Sequence, residues 1–302
     1  MLYIVQTALE AGALYAPVAL ALFLSYSILD IADLTTDGSF TLGCAVSAMV
    51  CLAGHPILAI PAAMAAAAAA GFITAFLQTK LAVPSILAGI VTNIGLYTVN
   101  LMVMGSSNRS IFRRETIFSL AEGLGLGSAT KLVVCAVVVL AMCAALVWFL
   151  GTRLGLSIRA TGDNKDMVRA SSINPNFTIT VGLCLANAMT GLSGALVVQS
   201  TSSADVNMGT GMVVIGLAAL VIGETLIGKG SMVRRVLGVL AGSIIYRIIY
   251  AAALRANLPA EYMKLVSAII VGAAIAAPAI KRWIGFEKQK HAALAERRDH
   301  RA

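Results

Sequence analysis

The feature that most restricts this chain is the recurrence of long apolar runs with almost no charge inside them. Nine are legible, at about 3–29, 38–54, 57–79, 84–104, 131–150, 177–199, 209–227, 236–254 and 262–280. A helix needs roughly 20 apolar residues to cross about 30 Å of hydrocarbon. Inside that layer each backbone amide must be satisfied within its own segment, so the runs are predicted to be helices. A spanning barrel would read as short alternating strands, and none is legible. Charged residues make up 12% of the chain, against roughly 25% in soluble domains. The expectation is an all-α integral membrane protein, a polytopic bundle of about eight to ten transmembrane helices, with residues 1–302 as one transmembrane domain. The first run, MLYIVQTALEAGALYAPVALALFLSYSIL, has no basic start and is long and evenly apolar. It is therefore read as a span and not as a signal peptide.

The net charge of +8 matters less than where the cations sit. The loop 151–176 holds Arg153, Arg159, Lys165 and Arg169; the loop 228–235 holds Lys229, Arg234 and Arg235; the tail 281–302 begins with Lys281 and Arg282. Two predicted spans separate each from the next, so all three share one side, expected to be cytoplasmic. That places the C-terminus on the cytoplasmic side of a bacterial inner membrane, with the basic tail either resting on anionic lipid or forming a solvated stop-transfer end. The loop 105–130, with Arg109, Arg113 and Arg114, would lie outside and breaks the rule, outvoted by three agreeing segments. Because the cations alternate with spans and form no basic face on a soluble fold, nucleic acid is excluded as a partner. Cys44, Cys51, Cys135, Cys143 and Cys184 all fall in apolar runs without a CxxC pair, which speaks against a metal site or a disulfide framework. His55, His291 and His300 sit in a loop and in the tail, so a catalytic cluster is not expected.

One interval contrasts with this background: RATGDNKDMVRASSIN, residues 159–174. Asp163 or Asn164 can cap a helix, Asp166 would lie in its first turn, and Lys165 and Arg169 would share a face. A helix over about 165–172 is predicted, ended by Asn174-Pro175, with Gly155 and Gly162 read as turn formers. So short a helix is marginal in water and becomes useful when docked in a partner's groove. The alternative is an ordinary loop whose cations only set topology. Within the spans, Glu224 lies near a helix end, and Arg247 either snorkels outward or sits inside as a cation. Asn93, Asn187, Thr190 and Gln199 either line the interior or bond helix to helix.

GLSIRATGDNKDMVRASSIN (155–174) resembles the cytoplasmic coupling loop of permease subunits of bacterial ABC importers, above all the branched-chain amino acid and ribose-type permeases. The matching residues are Arg159-Ala160, Gly162-Asp163-Asn164 and Ser172-Ile173-Asn174, where Ser172 replaces the family's glycine. DGSFTLGCAV (37–46) resembles the family's second-span motif, which implies a helix break at Asp37, Ser39 and Thr41 where freed backbone groups can face a cavity, and 209–246 resembles its Gly-rich pair of spans. LDIADLTTDGSF and ADVNMGTGM look most like the subgroup linked to tryptophan/tyrosine-type uptake. The resemblance implies a permease that moves a small solute, an amino acid of aromatic or branched-chain type, by alternating access. It implies a separate ABC ATPase subunit that holds ATP and Mg, an extracytoplasmic solute-binding protein, a second permease copy and surrounding membrane lipid. Arg159, Gly162, Asp163, Asn164, Lys165 and Arg169 would contact the ATPase; Asp37, Ser39, Thr41, Asn93, Glu224 and Arg247 are candidates for the path. The chain has no GxxxxGK[ST] phosphate loop, so no cofactor is expected on it. The rival reading is an ion-driven secondary transporter, which calls for paired inverted repeats. No repeat is legible in the residues.

Overall fold

The computed structural model describes residues 2–123, 129–228 and 230–255, with isolated positions between 265 and 276. Apart from those isolated positions, the expected span 262–280 lies outside the described residues, as does the tail 281–302. α1 (Leu2–Leu22) runs into a π-helical turn (Phe23–Ile28), followed by α2 (Thr36–Leu52), α3 (Pro56–Thr79) and α4 (Ser85–Met104). Strand β1 (Asn108–Ser110) and α5 (Ile117–Glu122) lead to α6 (Thr130–Gly151). The charged insert forms α7 (Arg153–Asp163) and α8 (Lys165–Ala170). Then come α9 (Pro175–Thr201), β2 (Ser203–Asp205), α10 (Met212–Ile227) and α11 (Met232–Arg255). Among the described residues six helices are long and apolar enough to cross a membrane, and the chain is a polytopic helical membrane protein.

Two further crossings are broken. α2 and α10 have 17 and 16 residues, about 25 Å at 1.5 Å per residue, short of the hydrocarbon thickness. The non-helical segments 29–35 and 202–211 supply the remainder. Unwound backbone at membrane depth must be bonded by the protein around it. Asp33, 2% exposed, does this in the first break. It accepts the Thr35 amide at 2.9 Å on one carboxylate oxygen and Asn187 Nδ2 at 2.7 Å on the other. The Thr35 and Thr74 hydroxyls meet at 2.7 Å and tie the break to α3.

The order of long buried helix, break, short helix and long helix occurs twice: α1, 29–35, α2, α3 and then α9, 202–211, α10, α11. α1 and α9 form the centre, 78% and 83% buried along their apolar windows. α2 and α3 pack on α9, whereas α10 and α11 pack on α1, so each half wraps the other half's central helix. α1 ends beside the insert and α9 begins from it, so the halves run in opposite senses. The repeat is illegible in the residues because it lies in helix lengths and breaks and not in matching side chains. Small residues bring the layers together, as their density predicts. A Cβ on Gly191 would lie 2.6 Å from the Ala63 carbonyl oxygen, and one on Gly43 would lie 2.5 Å from that of Gly191.

β1 pairs antiparallel with β2, Arg109 opposite Ala204, at the end of the bundle away from the insert. The described part of the basic loop 105–130 therefore lies opposite the loop 151–176, as the span count requires. Gln199 fastens this hairpin end. Its Oε1 accepts the Ile117 amide at 2.8 Å and its Nε2 donates to the Pro56 carbonyl at 3.1 Å. Gln199 thus bonds helix to helix, Asn187 ties α9 to the break at Asp33, and Thr190 donates to the Ala186 carbonyl of its own helix.

Candidate functional site: a polar cleft at the helix breaks and a charged platform

The starts of α2 and α10 meet inside the bundle. Asp37, in the first turn of α2, accepts the Gly211 amide at 3.0 Å and the Val213 amide at 2.8 Å. A carboxylate at a helix N-terminus satisfies otherwise orphaned amides and offsets the helix dipole. This accounts for an acid at membrane depth, where an unpaired charge costs about 2.5–3.5 kcal/mol on insertion scales. Thr41, one turn on, accepts the Gly209 amide at 3.0 Å and donates to the Asp37 carbonyl at 3.2 Å. The two breaks are therefore locked to each other by side chains of a single helix.

Beside this junction lies a cleft of about 490 Å³, bordered by Asp37, Gly38, Thr41, Asn93, Tyr97, Asn100 and the segment 206–210. Asn93, Tyr97 and Asn100 recur at helical spacing on one face of α4. Gly38 lets α4 pass close: a Cβ there would lie 2.6 Å from Asn93 Oδ1. Asn100, 1% exposed, donates from Nδ2 to the Gly38 carbonyl at 3.3 Å. Of the predicted path residues, Asp37, Thr41 and Asn93 border this cleft, and Ser39, Glu224 and Arg247 do not. Ser39 is fully buried in α2.

Glu224 lies near the insert end of α10 in an ion pair with Arg235 at 3.0 Å and accepts the Ser27 hydroxyl at 2.7 Å. The Arg235 guanidinium also sits 4.9 Å from the Phe23 ring centre. This group ties α10 and α11 to the π-helical turn. Arg247 does not snorkel outward. Its guanidinium carbon lies 3.6 Å from the Tyr15 ring centre of α1, and its Nε and Nη2 are buried without hydrogen-bond partners among the described residues. Tyr15 in turn stacks on Phe40 of α2 at 6.0 Å. Such cation–π contact lowers the cost of a desolvated guanidinium.

The insert has two helices where one was expected. α8 covers 165–170, inside the predicted range, and is capped by Asn164, whose Oδ1 accepts the Asp166 and Met167 amides at 2.9 and 3.0 Å. Residues 153–163 are helical as well. Gly155 and Gly162 therefore form no turn; they are contact points inside α7. A Cβ on Gly162 would overlap the Ile28 carbonyl oxygen of the π-helical turn, and one on Gly155 would overlap that of Phe149. Gly155, Ile158 and Thr161 make one buried face, and the Thr161 and Thr178 hydroxyls meet at 2.7 Å to join α7 to α9. α7 is thus seated on α1 and α9, while α8 projects.

On α8, Val168 is buried and Met167 is 53% exposed, an apolar knob among Lys165, Asp166 and Arg169. Met167 is not singled out by the sequence, because one methionine in a polar run carries no periodicity. Asp166 and Arg169 pair at 3.4 Å with side chains 91% and 64% exposed, a contact of little energetic weight. Arg159 is half-buried on α7, and Asp163 and Lys165 are exposed.

After α8 the chain turns through Ser172 at φ +60°, the left-handed region in which glycine is the usual residue. The serine is thus tolerated but backbone-strained. Ser172→Val should cost about 1–2 kcal/mol, since branched residues fit this region worst, while Ser172→Gly should be neutral or slightly stabilising. Thermal unfolding of the purified detergent-solubilised variants measures both.

A bundle with two broken crossings locked at a polar cleft, and a rigidly seated charged insert at one end, is the build of a solute permease. The family model described as "Branched-chain amino acid transport system / permease component" matches residues 4–275, and the chain belongs to that family of ABC permeases. It is the transport component and is not itself an enzyme. The tyrosine transport system permease protein of Clostridioides difficile (strain R20291) is 32% identical over 259 residues, 85% of each chain. The uncharacterized protein RP368 of Rickettsia prowazekii (strain Madrid E) is 30% identical over 274 residues, 89% of this chain and 95% of the relative. The ribose import permease protein RbsC of Escherichia coli (strain K12) is 29% identical over 247 residues, 79% of this chain and 74% of the relative. No solved structure matches the chain.

Proposed function

We propose that this permease imports an amino acid across the bacterial inner membrane, and that α7 and α8 are its coupling element to a separate ATPase subunit. The feature that carries the reading is mechanical. α8 offers an exposed Met167 between charges, while α7 is wedged without slack against α1 and α9. A push on α8 therefore reaches both central helices. These hold the two broken crossings, so a shift of one half against the other would open the bundle to alternate sides. Such a device works when ATP and solute bias the same two states.

In this reading ATP and Mg stay on the ATPase, and the insert end faces the cytoplasm together with the C-terminus. A second permease copy completes the path, and a solute-binding protein delivers its load at the hairpin end. The amino-acid assignment is supported by the family description and by the relative named for tyrosine. Arg159, Asp163, Asn164, Lys165, Met167 and Arg169 form the coupling surface, with Gly162 as its seat. Reversing Arg159 and Arg169 to glutamate together should lower ATP-driven uptake in proteoliposomes by about tenfold or more, because charge complementarity at an interface is lost. Membrane insertion should be unchanged. Normal uptake by that double variant would remove the insert from the coupling role.

A further inference from the structure

The cleft at the helix breaks is one-sided in its chemistry. Lys, Arg and His are absent from its described border, and Asp37 supplies a carboxylate. That carboxylate accepts two backbone amides, and an ionised carboxylate offers about four acceptor positions. Asn100 adds a second demand. Only its Nδ2 can donate to the Gly38 carbonyl, which fixes Oδ1 as the other amide atom. Oδ1 is buried and has no partner among the described residues, although Asn100 borders the cleft. Buried acceptors are rarely left unpaired, so this one points to a donor that enters the cleft. Asn93 brings another amide to the same face of α4.

We propose that this cleft is a transit site for the α-ammonium group of the imported amino acid, held by Asn100 Oδ1 and the Asp37 carboxylate. This rests on the amino-acid importer reading and adds to it the group that the permease grips. An ammonium has three donors and no acceptor, so it suits a border of acceptors with one negative charge. Hydrogen bonds to a charged donor are roughly twice as strong as those between neutral groups. A sugar hydroxyl would gain less there, and an anionic solute would be repelled. A site built around one donor group also rejects analogues that lack it, which gives the permease a selectivity of its own.

The test uses proteoliposomes holding the permease with its ATPase and solute-binding protein, offered radiolabelled standard amino acids and D-ribose. Wild type should take up an amino acid in an ATP-dependent way. Asn100→Leu, which removes the acceptor, should lower that uptake about tenfold, the weight of one hydrogen bond to a charged group. Asn100→Asp keeps an acceptor oxygen for the ammonium and loses the Nδ2 donor to Gly38, and should lose clearly less uptake than Asn100→Leu. Equal losses in both variants would reduce Asn100 to its bond with Gly38 and overturn the proposal. Unchanged uptake in Asn100→Leu, or uptake of ribose with no amino acid, would overturn it as well while leaving an importer. ATP-driven uptake of none of these solutes by wild type would defeat the importer reading, and this inference with it.

Discussion

Gly162→Ala is expected to unseat α7 and to abolish most transport. The added methyl would meet the Ile28 carbonyl oxygen, with the Leu29 Cα 3.1 Å away, and both belong to backbone. A flexible side chain could yield; a helical turn packed inside a bundle cannot do so without moving α1 or α7. Overpacking of this kind costs about 1–3 kcal/mol, and a backbone obstacle puts Gly162 at the upper end. The loss of function should exceed the loss of stability, because α7 is the link between α8 and the central helices. Thermal unfolding should show the destabilisation, and ATP-driven uptake should fall by about tenfold or more while ATPase binding persists. Gly151→Ala is the matched control, since a Cβ there meets nothing within 4 Å. A Gly162→Ala variant with wild-type uptake would mean that α7 can ride loose on α1 and that the push travels by another route.

Asp37→Ala is the second large effect. It removes both acceptors from the start of α10, leaving the Gly211 and Val213 amides without their protein partner. Lost caps cost about 0.5–2 kcal/mol, and bonds to a charged group about 1.5–3 kcal/mol, so a loss of about 3 kcal/mol is expected. Asp37→Asn should fall between, because the amide keeps one acceptor oxygen. Thr41→Val frees only the Gly209 amide and should cost about 1 kcal/mol. Thermal unfolding in detergent ranks the three. If Asp37→Ala were as stable as wild type, the two broken crossings would be held by helix packing alone and the side-chain lock would be incidental.

Much of the bundle is legible in the residues alone. The runs at 57–79, 84–104, 131–150 and 177–199 match α3, α4, α6 and α9 within a few residues. The break is placed a few residues late: Asp37, Ser39 and Thr41 are all helical in α2, and the unwound segment lies just before them at 29–35. α8 and its cap are readable from Asn164 and Asp166. α7 is missed because Gly155 and Gly162 read as turn formers, although Leu154, Ile158 and Thr161 recur at helical spacing and mark one face of an amphipathic helix. Asp33 gives no signal because it lies between spans in the sequence, and only the path of the break carries it to Asn187.

The sequence by itself determined that this chain crosses a membrane many times as helices, and where its charged insert lies. Those properties follow from transfer free energy and backbone hydrogen bonding, which act on each segment in turn. The tertiary structure alone decided which polar residues meet. Asp37 caps a helix that begins about 175 residues later, Glu224 is spent on Arg235, and Arg247 turns inward to Tyr15. Such pairings depend on how one half of the bundle wraps the other. Close approach at Gly43, Gly162 and Gly191 sets that geometry, and no local pattern encodes it.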